Sequence, residues 1–575
     1  MKTMYAHAHA HDPVWQVRPR DPRASALAAR AAIPEVLADL LLARGVSSDA
    51  DAHAFLSPHP DALHDPHRMK GMEHAADVLV SAARAGRRIV VFGDYDVDGV
   101  TSVAQLRAAL GRAGTTAIAF LPHRLRDGYG LRPDTVRRVL EEHRPGVIVT
   151  VDCGITALEG VACARAAGVE VIVTDHHLVP EELPEGAIVV NPRQSGCSYP
   201  EKDLAACGIA MKLALAIARR AGVPLSLESL LRVAALGTIA DLVPLLGENR
   251  TIAALGLRAL AESRAPGLRA LLLEAGIAPG VSPTSEEVAF RIAPRLNAAG
   301  RLDTAHLALS LFEERDPALA RQIAGQLSAD NAERQAIERR VTAEARALHA
   351  RGSDPGRDAV VVLGAAGWHR GVLGIAASRL AREWHRPVLL FAFDGDIARG
   401  SGRSVPGVPL HGTLKRIAAL FDEFGGHEQA VGASLPVSRF EALQEAARDA
   451  FALQARTTPA FRFESADAAL DPAEVSRELT SWLARLEPHG MGNPRPVFAA
   501  SVRTTGTLRA AGESGVKGRL RGKDGAELDF VAWRQPDFPS VPGELIDVHY
   551  TLRGGRREVE IVAAKPAAVV ELVPA

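Results

Sequence analysis

The feature that most constrains the fold is a series of short apolar segments between about residues 85 and 195. These segments are "RRIVVFG", "TTAIAFLP", "GVIVTVD", "VEVIVTD" and "AIVVNP". They are short and rich in β-branched residues, as is typical of buried strands. Helical patterns such as "VTSVAQLRAALGRAG" and "PDTVRRVLEEH" separate most of them. Because such strands need cover on both faces, the pattern predicts an α/β lobe with a mostly parallel sheet between helices.

Three of the predicted strands end in acidic residues or histidines. These residues are Asp94, Asp96 and Asp98 after the first strand, Asp152 after "GVIVTV", and Asp175, His176 and His177 after "VEVIVT". Since the carboxyl ends of parallel strands meet at one edge of a sheet, we expect these side chains to converge in one crevice. So many carboxylates would repel one another unless cations held them.

The ligand types indicate which cation this crevice would hold. Carboxylate oxygens with one imidazole favour Mn²⁺ or Mg²⁺ over zinc. Two such ions about 4 Å apart would activate a water and neutralise a phosphoryl group during in-line attack.

Helix capping and nucleotide binding are the alternatives to a metal site at the acidic strand ends. Each aspartate alone is as well explained as a helix N-cap, but all three strand ends together, one of them reading "DHH", favour the metal site. A nucleotide-binding Rossmann site needs a G-x-G-x-x-G turn after the first strand. Here that turn carries aspartates, which would repel a pyrophosphate.

Composition limits the class of protein. A chain of 575 residues is too long for a single core, so several domains are expected. With 67 basic and 68 acidic residues, the net charge of −1 means that any basic surface for nucleic acid must be local. Four cysteines without a C-x-x-C pair indicate free thiols in a reducing compartment rather than a zinc site.

The sequence also predicts where the protein resides. No apolar run reaches the ~18 residues that span a bilayer, and the N-terminal residues lack the apolar core of a signal peptide. We therefore expect a cytoplasmic protein. His7, His9 and His11 would hold a metal only weakly, and a disordered polar leader is the favoured interpretation of that stretch.

Beyond the first lobe, the pattern changes three times. Residues 203 to 350 read as mainly helical, with "DPALARQIAGQLSADNAERQAIERRVTAEARALHAR" as one long charged helix joining two lobes. A second α/β unit follows, with strands "DAVVVLG" and "RPVLLFAF" and helices beginning near "GVLGIAASRLAREW" and "GTLKRIAALFDEF". From about residue 460, short strands with Gly-rich turns predict a small β-barrel.

The acidic motifs resemble those of a known superfamily. "DYDVDG", "VDCG" and "TDHH", in this order at successive strand tips, are similar to the DHH phosphoesterases, and "LGTIADLVPL" resembles their fourth motif and adds Asp241. Four further blocks resemble the RecJ family of bacterial single-strand-specific 5′→3′ DNA exonucleases. They are "RLNAAGRL" (295–302), "WHRGVLGIAASRL" (368–380), "SGRS" (401–404) and "GGHEQAVG" (425–432).

The RecJ resemblance covers about residues 80 to 570 and implies a domain order. It implies an N-terminal helical or irregular segment (1–80), a DHH catalytic domain (81–255), a helical region with the long connecting helix (256–355), a DHHA1 substrate-binding domain (356–458) and a C-terminal OB-fold (459–575). The implied activity is hydrolysis of single-stranded DNA to 5′-mononucleotides in DNA repair and recombination. Implied partners are a RecQ-type helicase and a single-strand-binding protein, and we expect a monomer.

The resemblance also implies a set of ligands for two Mn²⁺ or Mg²⁺ ions. Asp152 would bridge both ions, Asp96 would bind one, and Asp98, His176 and Asp241 would complete the other. Many relatives carry a histidine where this chain has Phe92, so Asp94 is the candidate substitute. Asp175 would orient His176, and His177 would face the scissile phosphate as an acid or hydrogen-bond donor.

Other residues would bind the nucleic acid itself. The phosphate- and DNA-binding candidates are Arg124, Asn297, Arg301, Ser401, Arg403, Ser404 and His427. Some of the arginines would capture the 5′-terminal phosphate, since guanidinium suits phosphate. A surface ion pair is the alternative for each arginine, and a structural histidine at a helix start is the alternative for His427.

In the predicted barrel, alternate basic residues would give one strand a basic face. These are Lys517, Arg519, Arg521 and Lys523. Trp533 and Phe530 are candidate stacking platforms for bases. A solvated strand face is the alternative for this patch.

Two other functions stay open at the level of sequence. One is a smaller-substrate DHH phosphoesterase that acts on dinucleotides, pyrophosphate or short oligonucleotides, against which the length of the chain argues. The other is a non-catalytic scaffold that holds single strands, against which the complete acid set argues.

Overall fold

The computed structural model describes residues 14–124, 126–128, 130–302, 304–352, 359–457, 463–512, 515–533, 538–539, 543–552 and 558–567. His7, His9 and His11 lie outside them. Two α/β lobes are joined by one long helix, and a β-barrel follows them. No helix among the described residues is long and apolar enough to cross a membrane.

The N-terminal part of the chain packs against the barrel. It contains β1 (Val14–Val17), α1 (Ala24–Ala31), α2 (Glu35–Ala43) and α3 (Asp49–Leu56). Ser48 caps α3 by accepting a hydrogen bond from the Asp51 amide at 3.0 Å. Leu27, Leu37 and Leu41 share one hydrophobic cluster with barrel residues such as Phe498.

The first lobe is built on a parallel sheet, as its apolar strands predicted. Its elements are α4 (Met72–Arg84), β2 (Ile89–Gly93), α5 (Val97–Arg112), β3 (Ile118–Phe120), α6 (Pro133–His143), β4 (Val147–Val151), α7 (Leu158–Ala166), β5 (Glu170–Thr174) and β6 (Ile188–Val190). The strand order is β3-β2-β4-β5-β6, all parallel. Alternate residues of β2 enter different cores: Ile89 and Val91 lie in one cluster, Val90 and Phe92 in another. The sheet is therefore buried on both faces.

Helices continue the chain from the first lobe to the second. They are α8 (Ala206–Ala221), α9 (Leu227–Ala240), α10 (Gly247–Ala261), α11 (Pro266–Glu274), α12 (Ser285–Glu287), a π-helical turn (Val288–Ile292), α13 (Ala293–Leu302), α14 (His306–Glu313) and α15 (Pro317–Gly352). The long connecting helix is α15, with 36 residues. In its middle, Glu338 accepts a hydrogen bond from Arg334 and forms an ion pair with Arg379 of the second lobe, both at 3.0 Å.

The second lobe contains more strands than its sequence pattern predicted. Its elements are β7 (Val361–Ala366), α16 (Arg370–Trp384), β8 (Val388–Asp394), β9 (Ile397–Arg403), α17 (Leu410–Leu414), β10 (Glu423–His427), β11 (Ala430–Pro436) and α18 (Phe440–Thr457). The sheet order is β10-β11-β9-β8-β7, and only β7 and β8 are parallel. The helix predicted from "GTLKRIAALFDEF" is shorter than expected, because α17 passes into a 3₁₀ turn (Lys415–Leu420) and Phe424 already belongs to β10.

The C-terminal part closes into a five-stranded barrel. Its elements are β12 (Phe463–Ala466), β13 (Ala468–Ala469), α19 (Arg477–Ala484), β14 (Phe498–Ala511), β15 (Gly515–Arg521), β16 (Glu527–Ala532), β17 (Leu545–Leu552) and β18 (Glu558–Pro566). The order is β14-β15-β16-β18-β17, and the ring closes because β17 also pairs with β14. Outside the ring, β12 pairs in parallel with β1.

One buried arginine joins three parts of the chain. Arg250 lies on α10 and is 2 % exposed. Its guanidinium donates hydrogen bonds to the carbonyl of Phe55 on α3 and to the carbonyls of Arg485, Leu486, Glu487 and Pro488 ahead of the barrel. Burial lowers the pKa of Arg250 to about 9. Five carbonyls thus accept hydrogen bonds from one guanidinium, and two of them, those of Leu486 and Pro488, also accept from Asn493 Nδ2.

We predict that Arg250→Leu destabilises the contact between the first lobe and the barrel. Buried carbonyls without donors cost free energy, and the expected loss in the free energy of unfolding is about 3 kcal/mol or more. Chemical denaturation followed by circular dichroism measures it. Arg258→Leu, an exposed change on the same helix, is the matched control and should stay within about 0.5 kcal/mol of the parent. Equal stability of the two variants would contradict the assignment.

Candidate metal centre and phosphate site

The turn after β2 places three acids at the edge of the first sheet. Asp96 is the N-cap of α5 and accepts a hydrogen bond from the Gly99 amide at 3.1 Å. Asp98, inside the first turn, is buried, and its two oxygens accept from the amides of Ala206 and Cys207 at 2.9 and 2.8 Å. Gly99 has no room for a side chain, because a Cβ there would lie 2.5 Å from the Asp94 carbonyl oxygen.

Capping and ligand roles are therefore compatible in this turn. Asp96 is an N-cap, yet its carboxylate still belongs to a cluster with Asp94 and Asp152. Phe92 is fully buried in the hydrophobic core and stacks on Phe120 at 5.3 Å. Asp94 thus belongs to the acidic cluster, whereas Phe92 has no ligand atom to contribute to it.

Asp152 occupies the centre of the site in an unusual backbone conformation. It directly follows β4 with φ = 62°, in the left-handed region that non-glycine residues rarely adopt. Its amide donates to the Thr174 carbonyl at 3.1 Å. Backbone strain of this kind concentrates at functional sites.

His176 and Asp241 complete the cluster from two other elements. His176 follows β5, and its Nε2 lies 3.2 Å from Asp152 Oδ1 and 3.7 Å from Asp241 Oδ2. Asp241 ends α9 and is followed by Leu242, which has φ = 62°. The fourth motif of the sequence thus reaches the same crevice as the strand tips.

The ligand atoms form three overlapping groups. Within each group, the candidate ligand atoms lie within 4.8 Å of one another. The groups are Asp94 with Asp96 and Asp152, Asp98 with His176 and Asp241, and Asp152 with His176 and His177. Asp152 belongs to two of them. His176 also belongs to two of them, and Asp152 is absent from the group of Asp98, His176 and Asp241, so the bridging role of Asp152 stays a prediction.

A cation would stabilise the buried carboxylates of the cluster. Burial, followed by repulsion from Asp98, Asp96 and Asp94, raises the pKa of Asp241 to about 9. Burial likewise raises the pKa of Asp94, Asp98 and Asp152. Among the described residues, buried Asp94 Oδ1 and His176 Nε2 have no hydrogen-bond partner. Oxygen-rich ligands, repulsion and unpaired ligand atoms together fit Mn²⁺ or Mg²⁺.

Asp175 contacts a different histidine from the one predicted. Its Oδ1 lies 2.7 Å from His177 Nδ1, and it accepts from the backbone amides of His176 and Ile155. It therefore orients the ring of His177 and touches His176 only at the backbone, so the predicted orientation of the His176 ring by Asp175 is wrong. Burial lowers the pKa of His177, but the hydrogen bond and charge of Asp175 outweigh burial and raise it overall.

Two of the predicted arginines, Arg301 and Arg403, have their pKa lowered by burial and by the charge of a third, Arg124. Arg301 ends α13 and donates to the Gly371 carbonyl of α16 at 3.4 Å, while Arg403 on β9 donates to Ser401 Oγ at 2.9 Å. Burial, followed by repulsion from Arg124, lowers the pKa of Arg403 and brings that of Arg301 to about 10. We call Arg124, Arg301 and Arg403 the arginine cluster. A bound anion would relieve the repulsion among these guanidinium groups.

Two other predicted phosphate ligands make contacts within the protein, and a third is exposed. Asn297 Oδ1 accepts from the Val97 amide at 3.2 Å and so braces the acidic turn. Ser404 Oγ donates to the Val408 carbonyl. His427 is an exposed residue at the end of β10, so the alternative of a structural histidine at a helix start is wrong.

The barrel strand offers a basic face with acidic neighbours. Lys517, Arg519 and Arg521 are exposed on β15 beside a groove of about 690 Å³, and Lys523 follows the strand. Arg519 pairs with Asp529 at 3.2 Å and Arg521 with Glu527 at 2.7 Å. The expected basic surface is therefore partly neutralised.

The two candidate stacking residues of the barrel differ. Trp533 is 40 % exposed and available for stacking. Phe530 is not, because it packs inside the barrel against Phe538 at 5.1 Å, so its predicted role as a stacking platform is wrong.

Sequence reasoning missed two features that lie between the metal cluster and the arginine cluster. The ring of Tyr95 carries the Arg124 guanidinium at 4.8 Å. Gly371 and Gly374 allow α16 to approach, since a Cβ would lie 2.4 Å from the Arg301 carbonyl and 2.8 Å from the Arg403 guanidinium, respectively. The aromatic residue inside the acidic motif and the two glycines of "RGVLG" were the available signals.

Family models match three parts of the chain. Residues 88–238 match the N-terminal domain of the DHH family, residues 357–453 the DHHA1 domain, and residues 466–558 the RecJ OB domain.

Curated relatives match most of its length. The single-stranded-DNA-specific exonuclease RecJ of Escherichia coli (strain K12) is 35 % identical over 536 residues, covering 88 % of this chain and 89 % of the relative. RecJ of Bacillus subtilis (strain 168) is 33 % identical over 542 residues, which cover 93 % and 68 %.

Solved structures agree with both comparisons. RecJ from Thermus thermophilus in complex with Mn²⁺ superposes with a TM-score of 0.81 at 32 % identity, covering 96 % of this chain and 80 % of that one. Its complex with Mg²⁺ gives 0.76 at 31 % identity, with 96 % and 79 % covered. The three domains, the acidic cluster and these similarities lead to one conclusion: the chain belongs to the RecJ family of single-stranded-DNA-specific exonucleases.

Proposed function

We propose that this protein is a metal-dependent exonuclease that hydrolyses single-stranded DNA from the 5′ end to 5′-mononucleotides. The observation that carries the proposal is the pairing of an acidic cluster on the first lobe with an arginine cluster contributed by both lobes. One cluster suits divalent cations and the other suits a terminal phosphate.

The acidic residues divide the work of the metal centre. Asp152 would contact both ions, Asp94 and Asp96 would hold one, and Asp98, His176 and Asp241 the other. Two bound Mn²⁺ or Mg²⁺ ions would supply an activated water and neutralise charge on the scissile phosphate. Asp98 is fixed by two amides of α8 and Asp96 by its cap, so both carboxylates are oriented before substrate arrives.

His177 is suited to face the scissile phosphate. Its Nδ1 is held by Asp175, which keeps the ring oriented and favours the protonated form. A protonated imidazole would donate a hydrogen bond or a proton to a phosphate oxygen. Asp175 acts through His177 and is therefore a positioning residue.

The arginine cluster explains why attack would start at an end. Arg301 lies on α13, among the helices that follow the first lobe, while Arg403 belongs to the second lobe, and Arg301 touches Gly371 directly. A phosphate bound there would lie near the contact between α13 and α16. We propose that a 5′-terminal phosphate would bind at this contact in preference to an internal one.

The barrel would hold the strand further from the reacting end. Lys517, Arg519, Arg521 and Trp533 would contact the backbone and bases there, with electrostatic attraction outweighing stacking.

The same proposal includes the cellular setting of the enzyme. We propose that it acts in repair and recombination, with a RecQ-type helicase and a single-strand-binding protein as partners. We also propose that it is a monomer in the cytoplasm. The domain boundaries at residues 80, 255, 355 and 458 are likewise proposed.

A digestion with end-labelled strands tests the proposed polarity. We expect 5′ label to be released before 3′ label in Mn²⁺ or Mg²⁺, and EDTA to abolish release. Prior loss of the 3′ label, or activity that survives EDTA, would contradict the proposal.

Substrate length separates this function from the alternative of a small-substrate phosphoesterase. We expect a higher kcat/KM on a strand of ~30 nucleotides, which exceeds the site size of one OB-fold, than on a dinucleotide. The barrel motivates this expectation, since a dinucleotide would not reach it. Faster turnover of the dinucleotide would favour the alternative.

Asp152→Asn tests the shared ligand. We expect cleavage to fall by ~100-fold or more, because loss of a hydrogen-bond partner of a ligand alone costs ~10- to 100-fold and loss of the ligand itself should cost more. Mn²⁺ binding measured by electron paramagnetic resonance should weaken, while binding of a single strand is retained. Asp134→Asn, an exposed change, is the control. Full activity of the Asp152 variant would remove Asp152 from the centre.

Arg403→Gln tests the terminal phosphate site. We expect KM for a 5′-phosphorylated strand to rise roughly 10- to 100-fold, as a charge-assisted bidentate contact is lost. KM for a 5′-hydroxyl strand should change far less. Arg439→Gln, an exposed change in the same lobe, is the control. Equal effects on the two strands would exclude a specific role at the terminal phosphate.

A further inference from the structure

Tyr95 stands between the two clusters of the site. Its neighbours in the chain, Asp94 and Asp96, both belong to the acidic cluster with Asp152. Its own ring faces Arg124, whose guanidinium carbon lies 4.8 Å from the ring centroid. One residue therefore links the acidic turn to a member of the arginine cluster.

Contacts with α13 hold the backbone of Tyr95 in place. Helix α13 approaches so closely that a Cβ on Gly300 would lie 2.5 Å from the Tyr95 carbonyl oxygen and 3.4 Å from its Cβ. Directly after Tyr95, the turn is held by the cap of Asp96 and by the hydrogen bond from the Val97 amide to Asn297. The ring is thus a rigid support, because the backbone that carries it has little freedom to move.

Arg124, in contrast, lies on a loop and needs such a support. It follows β3 outside any helix or strand, and it is half-buried. Its charge lowers the pKa of both Arg301 and Arg403, after the larger effect of burial, so the three guanidinium groups share one region. Repulsion from the other two would drive Arg124 away unless an attractive contact held it. A guanidinium over an aromatic face is such a contact.

We propose that Tyr95 is a positioning residue that holds Arg124 at the arginine cluster and so sets the preference for a 5′-phosphorylated end. The inference rests on the proposed function and assigns to this aromatic ring a role that the metal ligands do not perform. The ring face carries the effect.

Two substitutions separate the ring face from the hydroxyl. Tyr95→Leu removes the aromatic face, and Tyr95→Phe keeps it. For Tyr95→Leu we expect KM for a 5′-phosphorylated strand to rise roughly 3- to 30-fold, the range of a partly buried cation–π contact. KM for a 5′-hydroxyl strand and the affinity for Mn²⁺, measured by electron paramagnetic resonance, should stay within about twofold. Tyr95→Phe should retain the parent's preference.

A double substitution makes the assignment specific to Arg124. Arg124→Gln should reduce the same preference, and adding Tyr95→Leu to it should cause no further loss, because residues in one contact are not additive. Additive losses would overturn the inference, as would equal preferences in the parent and Tyr95→Leu, or a loss in Tyr95→Phe as large as in Tyr95→Leu.

The outcome also distinguishes this inference from the proposed function. A parent enzyme that fails to release nucleotides from the 5′ end contradicts the function itself. A parent that releases them but shows no preference for a 5′ phosphate contradicts the role of Tyr95. A Tyr95→Leu variant that loses Mn²⁺ affinity would show that the residue serves the acidic turn instead.

Discussion

Repulsion between buried carboxylates is the constraint around which the first lobe is arranged. Acids from the turn after β2, the end of β4 and the end of α9 meet at one sheet edge, and burial with mutual repulsion raises the pKa of several of them. The fold compensates with amides: α8 directs two N–H groups at Asp98, and the start of α5 directs one at Asp96. These contacts orient the carboxylates without neutralising them, so the remaining charge is left for cations. The nearby arginine cluster carries an excess of positive charge.

The two clusters are assembled in different ways. Most of the acidic cluster comes from strand ends of the first lobe, which a parallel sheet aligns by itself, while Asp241 comes from the end of α9. The arginine cluster needs the second lobe, and α15 is the helix that carries that lobe into place. Glu338 in the middle of α15 binds Arg334 on its own helix and Arg379 on α16, which ties the helix to the lobe it positions. Separation of the lobes would thus leave the acidic cluster intact and divide the arginine cluster.

Sequence reasoning succeeded where chain order and periodicity carry the information. The parallel sheet followed from apolar strands that alternate with helices, and the closed barrel from short strands with Gly-rich turns. It failed where three-dimensional contacts decide. Glycine-rich β9 and β10 lack strand patterning, so the antiparallel half of the second sheet was missed, and a helix start stayed open as the setting of His427. Alternation within β16 buries Phe530, while adjacent residues in "DHH" gave no sign that Asp175 would turn to His177. The residue-by-residue roles at the metal centre and phosphate site stay predictions.

The pairing of β1 with β12 has a consequence for the order in which the chain is made. Gln16 and Ser465, which hydrogen-bond across this pair, are 449 residues apart, and so are Arg44 and Asn493. At ~5–20 residues per second, a ribosome would need roughly 20 to 90 s to supply those partners. During that interval the leucines of α1 and α2 have no barrel to pack against, although the first lobe is already complete. Helices α1 and α2 therefore cannot pack until the barrel strands have been synthesised. Their apolar residues stay exposed during that interval, and a chaperone would protect them.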